Sequence, residues 1–283
     1  MRSVNSREWS RRDVLAAGLT AAGTLALSGV RGLAAPSADE RFKLGLQSYS
    51  LRGYKTDGKQ DLAKALAVTK DLGVKYWEAY PAHIPTVTDP AVAKKYIREA
   101  ADQGVTVIGY GVVHLGKDRD ANKRFFDFAK AMDLGYLSAD PDPESFDGLD
   151  RLVEEYGVGV GIHNHGPGHR YDKIDTIAAA IKDHHPKIGC CIDTGHFLRS
   201  KEDPVRAVEV FGNRVYGVHL KDVKDAKTFT VLGKGDLRTT DFLKALAKLN
   251  YNYGMMIEYE ESEANPVADI RECLTAYREC LPR

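Results

Sequence analysis

Four short stretches end in groups able to bind a metal ion or carry a proton: "GIHNH" at His163, "CIDTGH" at Asp193, "GVHLKD" at His219 and "MIEYE" at Glu258. Each begins as an apolar run and stops abruptly on imidazole or carboxylate. Successive members are separated by roughly 30 residues, the length of one strand-helix unit. A lone His or Asp at a strand end usually caps or hydrogen-bonds the backbone. Four in corresponding places would be costly to bury together without a cation among them. Imidazole and carboxylate in one donor set suit Mn²⁺, Zn²⁺, Co²⁺ or Fe²⁺ better than Ca²⁺. His163, Asp193, His219 and Glu258 are therefore expected to hold one divalent metal, with Mn, Zn, Co or Mg as candidates.

Elements of the right kind are present to bring these residues together. Apolar runs of strand length occur at Lys43 to Ser50, Lys75 to Tyr80, Val105 to Val113, Leu134 to Ala139, Val158 to His165, Ile188 to Asp193, Val215 to Lys221 and Tyr253 to Glu260. Between them, segments such as "DLAKALAVTKDLG", "AVAKKYIREAADQG" and "TDFLKALAKLN" repeat apolar residues at helical spacing, often with Gly near the end. Strand and helix alternating eight times without a Pro/Ser-rich linker predicts a single-domain α/β protein, a (β/α)8 TIM barrel. An open doubly wound sheet would normally carry a Gly-rich first turn, and "LQSYSLRGY" has no G-x-G-x-x-G. In a barrel the active site lies at the C-terminal ends of the strands, so polar residues there are functional candidates. His184 and His185 in "DHHP" precede a strand and belong at the opposite face.

Residues 1–35 read differently. Arg7, Arg11 and Arg12 are followed by a small, apolar stretch from Val14 to Val30 and an Ala/Ser exit. That order describes an export signal, and the Arg11-Arg12 pair resembles the twin-arginine type. Gly18, Gly23 and Gly29 interrupt any amphipathic first helix. The expectation is a periplasmic protein with no stable membrane span in its mature form, its barrel covering residues 41–283. Lys plus Arg and Asp plus Glu number 40 each, for a formal net charge of zero, so no basic surface points to nucleic acid. Four cysteines in 283 residues need not form a disulfide framework, and Cys190 and Cys191 read as buried small hydrophobes.

From about Lys43 onward the chain resembles the xylose-isomerase-like barrel superfamily, on "IDTGH", "VHLKD", "LGKGD" at Leu232 to Asp236, and "IEYE". The superfamily includes sugar isomerases and epimerases, inosose dehydratases and an AP endonuclease branch. The resemblance implies a divalent metal held by Glu, Asp, His and Glu, of which the last three map onto Asp193, His219 and Glu258. It also implies substrate contacts at Lys221 and His196. At the first position the chain departs from the pattern: tagatose-epimerase-like members carry Glu where this chain has His163, followed by Asn164 and His165. Of the two glutamates that exchange the proton in those epimerases, Glu258 alone remains. His163 or His165 is then the candidate second base.

Catalytic roles are accordingly expected at Glu258, His163, His165 and Lys221. Glu78 in "YWEAY" and His114 in "GVVHLG" are expected to contact substrate from earlier strands, with Tyr49 near the end of the first. Trp77, Tyr80 and Tyr110 are candidates to face a sugar ring. The "EYEES" segment reads as a solvated loop and "HGPGHR" as a mobile loop over the site. The leading expectation is a metal-dependent isomerase or epimerase that removes a proton next to a carbonyl of a non-phosphorylated sugar. The runner-up is a lyase or dehydratase acting on an inosose or keto-glycoside through the same first step. An AP-type endonuclease and a non-catalytic sugar-binding barrel rank below these. The expected partner is a small sugar, not nucleic acid, and homo-oligomerisation is left open.

Overall fold

The alternation of strand and helix carries through residues 41–282, the part of the chain that the computed structural model describes. Eight parallel strands, β1 (Lys43–Gln47), β2 (Tyr76–Ala79), β3 (Thr106–Leu115), β4 (Tyr136–Pro141), β5 (Gly159–His163), β6 (Ile188–Asp193), β7 (Val215–Leu220) and β8 (Gly254–Ile257), close into a barrel. Closure is direct: Leu46 of β1 pairs with Trp77 of β2 on one side and Ile257 of β8 on the other. The TIM barrel expected from the alternation is thus present. The export-signal reading falls on residues outside the described part.

Helices α1 (Leu62–Asp71), α2 (Pro90–Asp102), α3 (Arg119–Ala131), α4 (Phe146–Tyr156), α5 (Ile174–Ile181), α6 (Thr194–Arg199), α7 (Pro204–Phe211), α8 (Thr239–Lys248) and α9 (Val267–Cys280) follow or link the strands. Aspartates start several of them. Asp61, Asp89, Asp118, Asp193 and Asp203 each accept a hydrogen bond from a first-turn backbone N–H, which satisfies donors a helix start otherwise leaves bare. Pro90 and Pro204 occupy the first helical position, where no N–H is required. Among the described residues, no helix is long and apolar enough to cross a membrane.

Three predicted strands stop two or more residues early at their C-terminal ends. β1 stops at Gln47 because Ser48–Leu51 turns into a 3₁₀ segment, with the Gln47 side chain accepting from the Tyr49 N–H. β5 stops at His163. β8 stops at Ile257, although the Glu258 N–H still reaches the Leu220 carbonyl at 3.3 Å. The strands β5 to β8 are buried along their whole length, as helices outside and side chains inside require. Tyr136 fills the barrel axis. A Cβ added at Gly109, Gly217 or Gly254 would fall 2.3, 2.9 and 2.6 Å from its ring or hydroxyl, so these strands approach the tyrosine only as glycine. All four cysteines are free, and Cys190 and Cys191 are buried.

Candidate metal centre and pocket

His163 and Asp193 are the last residues of β5 and β6, His219 is the fifth of β7's six, and Glu258 follows β8. Closure brings them into one cluster, their nearest ligand atoms all within 4.8 Å of one another and every member buried. His163 Nε2 lies 2.9 Å from His219 Nδ1 and 3.4 Å from Asp193 Oδ2, while His219 Nδ1 is 3.2 Å from Glu258 Oε2. Among the described residues two further groupings of this kind occur, Glu78 with Cys191 and His219, and Asp147 with Asp150 and His184. The second lies at the barrel's other face, where His184 pairs with Asp150 at 2.9 Å.

The strand ends are tied to each other through residues the sequence reading did not single out. Asn164 bridges β5 to β6, its side chain donating to the Asp193 carbonyl at 2.9 Å and accepting from the Asp193 N–H at 2.8 Å. Thr194 bridges β6 to β7, its hydroxyl accepting from the Lys221 N–H at 2.9 Å and donating to the Lys221 carbonyl at 2.6 Å. Asp193 divides its oxygens: Oδ1 caps α6 through the His196 N–H at 2.7 Å, and Oδ2 faces the cluster. The "LGKGD" motif has a structural role. Asp222 accepts from the backbone N–H groups of Val223, Gly233, Gly235 and Leu237, which folds the loop around it.

Lys221 lies beside the cluster. Its buried Nζ is 2.9 Å from Asp193 Oδ2 and 2.7 Å from Glu258 Oε2, and it also meets Glu260 Oε1. Burial opposes its charge, yet the three carboxylates outweigh burial and hold Lys221 protonated above the ordinary lysine range. Burial likewise pushes the Glu258 carboxyl up, and Lys221 with His219 pulls it below the usual carboxylate range. His219 is driven well above the ordinary histidine value, because Cys191, Glu78 and Glu258 outweigh its desolvation. Asp193 Oδ2 and Glu258 Oε2 still have no hydrogen bond of acceptable geometry. Two neutralisable imidazoles and two carboxylates with free lone pairs, converging in a buried space, fit a divalent cation.

A cavity of about 260 Å³ opens above the cluster. His163, His165, His196, Lys221 and Glu258 line it, as does Tyr49. His165 and His196 stay neutral near pH 7, because burial and neighbouring cationic groups lower them to about 3 and 4, respectively. Gln47, Glu260 and the Gly111–Val112 segment also line the cavity and were not anticipated. Glu260 is therefore a wall residue, a correction to the solvated-loop reading of "EYEES". The "HGPGHR" loop is tied down by Arg170, which contacts Asp142 at 2.9 Å, and by Tyr171, whose hydroxyl donates to the Pro141 carbonyl at 2.8 Å.

Two expected substrate contacts are elsewhere. His114 points away from the cavity, its side chain 63% exposed and 3.3 Å from Asp142. The register of β3 against β4 shifts between Tyr110 and Val113, and the one extra residue there changes which face His114 takes, which its place near the strand end does not reveal. Glu78 is fully buried below the cavity, where it meets His219 Nε2 at 2.8 Å instead of substrate. Of the three aromatics, Tyr80 lines the cavity. Trp77 faces the helix layer, donating to Thr69 at 3.0 Å, and Tyr110 donates to the Ile84 carbonyl at 3.0 Å. Both are core residues.

Comparison with known proteins agrees with the barrel fold. A curated inosose dehydratase from Clostridium botulinum (strain Eklund 17B / Type B) is 29% identical over 47% of this chain and 47% of its own. The chain thus matches about half the length of such relatives. An uncharacterised protein from Parabacteroides distasonis ATCC 8503 superposes with a TM-score of 0.65 at 25% identity, covering 85% of this chain and 99% of that one. The D-allulose 3-epimerase from Methylomonas sp. superposes with a TM-score of 0.66 at 16% identity, covering 85% and 98%; at that identity the likeness is one of fold. Residues 66–280 match the family described as xylose isomerase-like TIM barrel, and the chain belongs to that family.

Proposed function

We propose that this protein is a metal-dependent isomerase or epimerase that removes a proton from carbon next to a carbonyl of a non-phosphorylated sugar. The observation that carries the reading is the cluster of His163, Asp193, His219 and Glu258 at the floor of a small cavity. A divalent ion held by these four residues would polarise carbonyl and hydroxyl oxygens and so lower the barrier to removing the intervening proton. Glu258, ionised and at the cavity wall, accepts that proton. His163 ends β5 and His165 follows it, across the barrel mouth from Glu258 with β6 and β7 between, and they supply the second proton carrier. His163 suits a group that moves, since its buried Nδ1 has no hydrogen-bond partner to hold the ring. Tyr49 and Tyr80, packed edge to face at 5.0 Å, offer apolar surface to a sugar ring.

The charge pattern supports an uncharged substrate. Lys221 is the sole Lys or Arg among the residues lining the cavity, and three carboxylates already engage it. A phosphate would meet Glu258 and Glu260 without a free cation. Export by the twin-arginine route, proposed from Arg11 and Arg12, is consistent with free sugars or glycosides as substrates.

A second reading, elimination instead of reprotonation, is favoured by two observations: the inosose dehydratase similarity and the replacement of an epimerase-like Glu by His163. Incubation of metal-loaded protein with free ketoses, inososes and 3-keto-glycosides in D₂O, read by mass spectrometry, separates the readings. Isomerisation or epimerisation gives a product of unchanged mass apart from the label. Elimination gives an unsaturated sugar and a released water or alcohol. Bond cleavage with neither exchange nor elimination would overturn both.

A further inference from the structure

Beneath the proposed metal ligands lies a carboxylate that cannot touch substrate and is nevertheless fully engaged. Glu78 is 0% exposed. Its Oε1 accepts from Gln47 Nε2 at 2.8 Å and from the Ser138 hydroxyl, and lies 2.8 Å from His219 Nε2. Its Oε2 accepts from the Tyr136 hydroxyl at 2.7 Å. These donors come from β1, β4 and β7, so the residue sits at the crossing of three strands besides its own. Although Glu78, Cys191 and His219 lie close enough to form a ligand set, donors already engage both Glu78 oxygens. Glu78 is thus no spare ligand.

We infer that Glu78 is a positioning residue that keeps the proton of His219 on Nε2 and thereby turns Nδ1, as a lone pair, toward the metal cluster. The step rests on the metal reading above. A carboxylate flanked by three other donors can only accept from the imidazole, so the nitrogen facing it must carry hydrogen. The other nitrogen faces His163 and Glu258 and is the one available to a cation. An acceptor behind a ligating histidine fixes both its tautomer and its ring plane, and losing such a partner typically weakens metal affinity about 10–100-fold. His163 has no equivalent support, because its Nδ1 is buried and unpartnered. The two imidazoles are therefore unequal: His219 is the rigid ligand and His163 the adaptable one.

Two substitutions separate geometry from charge. In Glu78→Gln the amide oxygen can occupy the Oε1 position and keep all three of its donors, with the amide nitrogen beside the Tyr136 oxygen, which can accept. The charge is lost, and with it the acceptor of the Tyr136 O–H. Glu78→Leu removes acceptor and charge together. Titration of the chelator-treated protein with Mn²⁺ should give a Kd raised about tenfold in Glu78→Gln and about a hundredfold in Glu78→Leu. Isotope-edited ¹⁵N NMR of the His219 ring in wild-type protein, metal-free and Zn²⁺-loaded, should find Nε2 protonated in both states. An unchanged Mn²⁺ Kd in folded Glu78→Leu, or a wild-type His219 with its single proton on Nδ1, would overturn the inference. Should Glu78→Leu not fold, the NMR signature decides alone, and the Gln variant measures the share that charge contributes. Wild-type protein that binds no metal defeats the metal reading itself, while the ring's protonation continues to test Glu78 separately.

Discussion

Asp193 shows how one side chain can serve the fold and the site at once, with Oδ1 on the α6 N-terminus and Oδ2 in the cluster. Asp193→Asn can keep the cap through its amide oxygen, but it places an NH₂ against the Lys221 ammonium and the proposed cation. We expect it to fold, with metal and activity lost. Asp193→Ala should lose both as well, plus about 1 kcal/mol of stability from the missing cap, measurable by denaturant unfolding. His219→Ala should likewise abolish metal binding, whereas His184→Ala, at the other face, should leave it intact. Elemental analysis of the purified variants checks all four. A different histidine reports on pH. His83 is buried with Nδ1 3.1 Å from the Ser48 hydroxyl, and desolvation lowers it from 6.5 to about 4. Between those values the unfolded chain binds more protons than the folded one, so stability should fall as pH drops through that window. His165 and His196, lowered in the same way, add to this acid limb, so His83→Phe should make it shallower by one histidine's share, and an unchanged slope of unfolding free energy against pH would show that His83 does not contribute.

At the scale of elements, the site depends on crosslinks between strand ends more than on the strands themselves. Asp222 fixes the loop after β7 with four backbone N–H groups, and a Cβ at Gly235 would come 2.3 Å from its Oδ1. Asp222→Ala leaves these donors unpaired in a buried place and should cost about 3 kcal/mol. Because the loop starts one residue after Lys221, activity should fall further than stability alone explains, a split seen by assaying below the melting range. Asn164→Ala cuts the β5–β6 bridge. It should lower metal affinity without altering the far-UV circular dichroism, since His163 and Asp193 then lose their shared brace.

For the molecule as a whole, a ligand that binds only the closed barrel must stabilise it. At a metal concentration of 100 times Kd the gain is about 2.7 kcal/mol, which in a domain of this size corresponds to a melting shift of roughly 5–10 °C. Scanning calorimetry of chelator-treated protein with and without Mn²⁺, Zn²⁺ or Co²⁺ measures it. No shift with any of the three would remove the cation from the proposed function.

The strand ends could be read from sequence because burial on both faces gives long apolar runs, and any polar residue ending one stands out. His163, Asp193, His219 and Glu258 were legible for that reason, as was the barrel that unites them. A place near the end of its strand marked Glu78 as a candidate, but not its depth: whether a carboxylate there reaches the cavity or stops beneath it depends on how the strands stagger around the axis. The irregularity in β3 turned His114 outward, and nothing local announces one extra residue in a ten-residue apolar strand. Gln47, Asn164 and Glu260 carry no motif of their own. Their roles come from partners 31, 29 and 39 residues away in sequence, Glu78, Asp193 and Lys221. Composition and periodicity therefore determined which elements form and which residues end them. Only closure of the barrel, which sets stagger and brings distant strand ends within hydrogen-bonding distance, decided which of those residues meet.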